Sequence, residues 1–411
     1  MTEVFDLAVV GAGPAGLAAA HFARKRGLRA VVLEGRATPG GKVRTRRDGG
    51  FVVECGPQGW LDREPAVREC CVDLGLEPLA ASLAAGERFV FRGGRLHAVP
   101  TGPVSFLRSP LLSLRGRMRL MREPFVKGRR DDADESIHAF AARRIGAEAA
   151  DVMVDAMVSG IYAGDAKQLS LPACFPVMRE IEREHGSLLR GLIARRRRGV
   201  AKGGPSGPGG ALLSFPRGMA TLVEAITAEL GNDLRLGGPV HGLRTTAAGW
   251  RVATGAGSVD AREVLLTPPA RTIAELLAPL EPGLRAIAAE IPESDLAVVT
   301  VAWLRERVAH PCAGFGFLAP RREGFRPLGV LFVHEIFAGH APPDRVVLRI
   351  MLGGVHDPDV VGLDDEQLLA TALDPLRPLL GITGDPERIW IERVRGAVPQ
   401  YVLGHRERVA A

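Results

Sequence analysis

The chain has 411 residues, 46% of them hydrophobic and 24% charged, the balance of a globular protein large enough for two or three domains. The net charge is +6. No apolar run reaches the ~20 residues of a bilayer-crossing helix. No cationic region precedes the first apolar stretch, Phe5 to Val10, as a signal peptide requires, so the expected location is the cytoplasm.

In chain order, Asp6 to Val10 reads as a short buried strand, and Gly11-Ala12-Gly13-Pro14-Ala15-Gly16 follows at once. Leu17 to Arg26 has helical composition and Gly27 stops it. Leu28 to Leu33 is a second strand, ending at Glu34. Together they predict a β-α-β unit carrying a dinucleotide fingerprint. Gly11 permits the tight turn, Gly13 lets the backbone approach a pyrophosphate, and Gly16 lets the helix pack on the strand. The helix N-terminus favours the phosphates. Glu34 can accept hydrogen bonds from ribose hydroxyls and disfavours a 2′-phosphate.

Arg88 to Pro100 predicts a hairpin, with Phe89 and Phe91 alternating with Val90 and Gly93-Gly94 as the turn. From Leu107 to Ile193 the pattern is helical. Leu111, Leu114, Met118, Met121 and Phe125 recur at three- and four-residue spacing, with Arg115, Arg119 and Arg122 between them. Leu107 to Arg130 holds eight cationic residues against one acid, Glu123, and Arg195 to Arg198 is a second basic cluster. This stretch fits either a membrane surface, apolar side to lipid and arginines to headgroups, or an ordinary solvated helix. With no zinc-finger or RNP-type pattern, no nucleic-acid partner is expected. Gly199 to Gly210 reads as a flexible loop. A helix is predicted over Ala220 to Leu230, short strands over Leu234 to Thr267, and more strand over Ile291 to Ile350. Cys55, Cys70, Cys71, Cys174 and Cys312 have no metal-type spacing, so reduced, packed thiols and no metal site are expected. His185, His334 and His340 titrate near neutrality when unperturbed, but no catalytic base stands out.

Gly40-Gly41-Lys42-Val43-Arg44-Thr45, just past Glu34, resembles the second flavin motif of the amine-oxidase-like flavoproteins, and Glu54-Cys55-Gly56-Pro57 resembles their E-x-G-P element. Arg88 to Phe91 with Leu96 to Gly102, Ser159 to Asp165, Glu184 to Leu188, Ser214 to Met219, Gly314 to Leu318, and Pro399-Gln400-Tyr401 with Gly404-His405 resemble the protoporphyrinogen oxidase family within that group. The resemblance runs in order along the whole chain.

That resemblance implies an α/β (α+β) fold in three regions. One is a Rossmann-like, amine-oxidase-type FAD domain over 1–80, 205–270 and 393–411. The others are a mixed-sheet substrate domain over 81–100 and 271–392 and a helical, membrane-associated region over 101–204. It extends the FAD-contacting set to Pro14, Ala15, Gly35, Arg36, Gly40, Gly41, Lys42, Arg44, Thr45, Gly56, Pro57, Gln58 and Val240. It makes Arg88 the partner of a substrate propionate, sets Gly160 near the reacting carbon, and offers Leu318 and Phe337 as apolar contacts to the macrocycle. The implied reaction is six-electron oxidation of protoporphyrinogen IX, as three two-electron hydride transfers to flavin N5, with oxygen or a quinone as final acceptor. Coproporphyrinogen III is the alternative substrate. A non-catalytic relic binding tetrapyrrole or membrane is the alternative of another class. In that family a glycine-rich segment follows that closes the FAD domain; the chain ends at Ala411, so an FAD domain lacking its C-terminal part is expected. A homodimer is compatible with the sequence.

Overall fold

The computed structural model describes residues 4–100, 105, 108–129, 131–197 and 211–411. The loop expected over Gly199 to Gly210, and the ends Leu107, Arg130 and Arg198 of the two basic stretches, lie outside them. The chain forms two compact units, 1–80 with 213–290 and 81–212 with 291–411.

In the first unit the two predicted strands are Val4–Val10 and Ala30–Leu33, joined by the helix Pro14–Lys25. They lie in a six-stranded sheet ordered Leu234–Arg235, Ala30–Leu33, Val4–Val10, Gly257–Leu266, Gly249–Thr254, Val240–Thr246. The first four strands run parallel and the last two antiparallel. Alternation along the strands splits the core in two. Val9 and Val32 join the helices Pro14–Lys25 and Ala220–Leu230 through Leu17, Ala20, Val223 and Ile226. Ala8, Val10, Val31 and Leu33 pack with Leu243, Val252 and Leu276 on the other face. Apolar residues on both faces explain why these strands read as continuous runs.

The second unit is built on a seven-stranded sheet ordered Arg388–Pro399, Glu293–Leu304, Arg345–Gly353, Gly329–Phe332, Gly316–Leu318, Arg88–Arg92, Arg95–Ala98. The last two are the expected hairpin, and Arg88–Arg92 runs parallel to Gly316–Leu318. Val299, Val301, Trp303, Leu348 and Ile350 pack against Leu368, Leu373 and Leu376 from two short helices. Two expected boundaries shift. Residues 271–290 fall in the first unit, where Leu276 packs under its sheet. Residues 393–411 fall in the second, because Arg388–Pro399 is a long strand paired with Glu293–Leu304. The substrate and helical segments share one unit.

The apolar stripe is not one helix. Leu111 and Leu112 are buried ahead of a cap at Ser113, whose hydroxyl accepts from Gly116 N–H. The helix Leu114–Met121 follows, then a short 3-10 turn at Glu123–Phe125. Behind it lies a buried ionic cluster. Arg144, fully buried, pairs with Glu123 and reaches toward Glu182. Glu123 also accepts from the Ser187 hydroxyl and the N–H groups of Leu188 and Leu189, capping the helix Leu188–Arg197. Burial pushes the Glu123 carboxyl up, but these hydrogen bonds and Arg144 outweigh it and leave the pKa below the usual glutamate range. Glu182 behaves likewise against Arg143. Both folded-state pKa values lie below the unfolded value, so this stabilisation is present above the unfolded glutamate pKa. It is lost as pH falls through the folded values. Glu123→Gln is expected to lower unfolding free energy by about 3 kcal/mol, because it leaves buried Arg144 with only the more distant Glu182 carboxylate. A urea midpoint unmoved at pH 7 would refute this.

Candidate functional site

The nucleotide end begins where the strand Val4–Val10 stops. Gly13 is the N-cap residue of the helix Pro14–Lys25, in ordinary extended geometry (φ −71°), and Pro14 opens the helix, where its missing N–H costs nothing. Gly11 needs glycine on two counts: its φ is +101°, and a Cβ would lie 2.8 Å from the Thr267 hydroxyl. A Cβ on Gly16 would lie 2.0 Å from the Gly11 carbonyl oxygen. On Gly13 it would meet nothing within 4 Å. That open side, over the exposed Pro14 and Ala15 at a helix N-terminus, is where a pyrophosphate fits.

Glu34 is pinned by two backbone donors, Ala12 N–H to Oε2 and Arg36 N–H to Oε1, each 2.8–2.9 Å. An ionised carboxylate retains further lone pairs for hydroxyls. The Glu34 and Arg36 carbonyls accept from Gly238 and Gly237, and Gly35 abuts Pro239. Val240 therefore starts its strand beside this turn.

The second glycine pair closes on the first. Gly40 N–H donates to the Ala12 carbonyl, and a Cβ on Gly41 would lie 3.2 Å from Gly13 Cα. Gly56 packs so tightly on the Lys42 carbonyl that a Cβ would lie 1.8 Å from its oxygen. Lys42, Arg44 and Pro57 are exposed, and Gln58 is half-buried. Thr45 and Glu54 have work that the sequence did not reveal. The Thr45 hydroxyl donates to Glu54 and accepts from Ala220 N–H, while buried Glu54 accepts from Met219 N–H. They cap the helix Ala220–Leu230, tying the second motif to a segment over 160 positions away. Thr267 was also missed. Its hydroxyl donates to the carbonyls of Val10 and Gly11, holding the first glycine turn; a lone threonine at a strand end gives no signal. The residues present fit FAD: room over Gly13, a pinned carboxylate able to accept from hydroxyls, and two interlocked glycine turns.

In the second unit, Arg88 pairs in register with Gly316, and Leu318 stands two residues on. With a period of two, Arg88 and Leu318 share one face of the sheet, while Phe89 and Phe317 face the core. Gly160, in the helix Asp155–Tyr162, meets that face: a Cβ there would lie 2.4 Å from Leu318 Cδ2. Arg88 is half-buried and its guanidinium lies 5.1 Å from the Phe315 ring centre. Burial holds its pKa below the usual arginine value. Phe337 does not join them. It is fully buried and packs on His340, so it has no face to offer a ligand. His334 lies against the Val347 backbone, with its pKa lowered by burial, and His185 lies 3.6 Å from Glu184. A groove lined by Phe91, Phe325, Arg326, Thr371 and Asp374 contains neither Arg88 nor Gly160, Leu318 or Phe337. The five cysteines form no disulfide with one another, and burial raises Cys70 and Cys174 to about 11 and Cys312 to about 12.

The sequence model of flavin-containing amine oxidoreductases matches residues 14–406. The chain belongs to that family. It is 32% identical to a protoporphyrinogen oxidase of Macaca fascicularis, over 98% of this chain and 89% of the relative. It is 28% identical to a coproporphyrinogen III oxidase of Bacillus subtilis, over 98% and 88%. A crystal structure from Exiguobacterium sp. 255-15, provisionally assigned as a protoporphyrinogen oxidase, superposes with a TM-score of 0.85 at 26% identity, covering 100% of this chain and 90% of that one. Family and fold make the protein an FAD-dependent oxidoreductase.

Proposed function

We propose that the protein oxidises a porphyrinogen, with protoporphyrinogen IX as the substrate and coproporphyrinogen III as the second reading. The observation that carries this is the shared face of Arg88, Leu318 and Gly160. A porphyrinogen is a flat apolar macrocycle with carboxylate arms. Leu318, packed directly on the bare backbone of Gly160, offers an apolar wall. Arg88, already partly stripped of water, presents a fork that matches a propionate bidentately. The second reading is kept because relatives of both names match at similar identity, including a coproporphyrinogen III oxidase of Propionibacterium freudenreichii at 31%. FAD, when bound, supplies the hydride acceptor. Glu34 would hold its ribose, and the turns at Gly13 and Gly41 its pyrophosphate. Oxygen or a quinone is the proposed final electron acceptor.

The deciding experiment is the visible spectrum of the purified chain, followed by anaerobic addition of each porphyrinogen. A flavin band bleached by one of them is the expected result, and the faster substrate names the enzyme. A flavin band that neither bleaches would refute the reading. Arg88→Met is expected to raise KM about tenfold with little change in kcat, the signature of lost uniform binding.

We also propose that the helical region rests on a membrane surface. Among the described residues no helix is long and apolar enough to cross a membrane. Leu114, Met118, Met121 and Phe125 are nevertheless 52–83% exposed, with exposed Arg115, Arg122 and Lys127 beside them. Apolar side chains among cations suit an anionic lipid surface. Co-sedimentation with anionic vesicles should fall about tenfold in Met118→Asp/Phe125→Asp, since each lost contact weakens partition. Equal sedimentation of the variant would remove the proposal.

A further inference from the structure

The Pro399-Gln400-Tyr401 segment lies apart from Arg88, Leu318 and Gly160 in the chain, yet Gln400 bonds to the end of the helix that carries Gly160. Gln400 is 2% exposed. Its side-chain Nε2 donates to the Tyr162 carbonyl at 2.8 Å, with the Val398 carbonyl at 3.1 Å and the Ser294 hydroxyl at 3.2 Å as further acceptors. Acceptors around one end of the amide fix which end is nitrogen. Tyr162 is the last residue of the helix that carries Gly160, and its carbonyl is among those a helix leaves without an internal partner. The next residue, Ala163, adopts left-handed geometry (φ +48°), which a side chain bears only under constraint. The constraint is visible. Ala163 N–H donates to the Ser159 carbonyl, Val355 N–H donates to the Ala163 carbonyl, and a Cβ at Gly164 would lie 2.3 Å from Gln400 Oε1. Around it, Ser170 N–H donates to the Tyr401 carbonyl and Leu403 N–H to the Gln168 carbonyl, so residues 400–403 strap residues 162–170.

We infer that Gln400 is a positioning residue: its amide clamps the carbonyl end of the Gly160 helix and so fixes where Gly160 meets Leu318. Its catalytic consequence rests on the porphyrinogen-oxidase reading; its structural one does not. The left-handed turn at Ala163 has no glycine to ease it, so removing the clamp lets the turn relax and the end of the helix shift.

The test uses the full chain with bound flavin and three variants. Gln400→Leu removes the donors at similar volume. Gln400→Glu keeps the size and regains one donor only when protonated. Ser294→Ala removes an acceptor of the same amide without touching the helix. In Gln400→Leu, amide exchange over residues 162–169 should quicken about tenfold, as local opening becomes easier. Its kcat should fall about tenfold, since small misplacements near the reacting atoms are costly, with KM within about twofold. Gln400→Glu should regain kcat relative to the parent as pH falls, and Ser294→Ala should match the parent. Unchanged exchange over 162–169 in both Gln400 variants overturns the inference, whatever the activity. Faster exchange with unchanged kcat, or a Gln400→Glu profile parallel to the parent, overturns its catalytic part. If the parent itself leaves both porphyrinogens unoxidised, the functional reading fails, and the exchange result alone still decides whether Gln400 is the clamp.

Discussion

Gly13→Val should give a folded, colourless protein, and Gly16→Val should give a poorly folded one. Only two residues lie between these glycines, but their surroundings differ. At Gly13 a Cβ meets nothing within 4 Å and the backbone is in a region open to any residue, so stability should move by no more than about 1 kcal/mol. The new side chain would fill the space proposed for the pyrophosphate, and FAD affinity should fall on the order of 100-fold, about 2.7 kcal/mol. At Gly16 a Cβ would lie 2.0 Å from a backbone carbonyl oxygen and 3.1 Å from Val9 Cγ1, neither able to retreat without moving the strand or the turn. Overpacking of that kind costs about 3 kcal/mol. Flavin absorbance per chain and urea denaturation read the two effects separately. Full flavin content in Gly13→Val would mean that the pyrophosphate does not pass over that residue.

Gly160→Ala should abolish most activity while leaving the flavin and the fold intact. In a helix interior, alanine is favoured over glycine by about 1 kcal/mol, which offsets part of the steric cost. The cost falls on Leu318, whose Cδ2 would be 2.4 Å from the new methyl. A leucine terminus can swing away, so the protein folds, but Leu318 and Arg88 share a sheet face and the displaced side chain must move along it. We expect kcat/KM for porphyrinogen to fall on the order of 100-fold, about 2.7 kcal/mol of transition-state stabilisation. Leu318→Ala in the same chain makes room for the methyl, so the double variant should recover activity, a non-additivity expected of touching residues. Porphyrin fluorescence measures both. Wild-type rates in Gly160→Ala would place the substrate elsewhere.

The β-α-β unit was legible because its signals are local: alternation, a glycine fingerprint and an acid at the right distance all lie within some thirty residues. Pairings across the chain were not. Gly160 and Leu318 carry no mark of contact in one sequence. Thr45 was read as a flavin contact and Glu54 as part of the E-x-G-P-like element, while their hydrogen bonds run to residues 220 and 219. Phe337 illustrates the ambiguity of an aromatic, which is equally at home on a ring or in a core. The stripe from Leu111 to Phe125 had the right periodicity, but Ser113 restarts the helix inside it, so its first leucine is core and the rest is surface. Arg144, fully buried, could not be told from half-buried Arg143 beside it, because its partner Glu123 lies twenty-one positions away.

The interleaving of the two units has a consequence for synthesis. Residues 1–80 complete their sheet and helix layer only with 213–290, which supply the strand Gly257–Leu266 beside Val4–Val10 and the helix Ala220–Leu230 that Glu54 caps. At ~5–20 residues per second, the ribosome takes roughly ten seconds to supply the intervening segment. Through that interval Val4–Val10 has an unpaired edge and Val223 and Ile226 are not yet there to cover Leu17 and Ala20. Until residues 213–290 emerge, those apolar faces lack their native cover and offer a target for a holding chaperone.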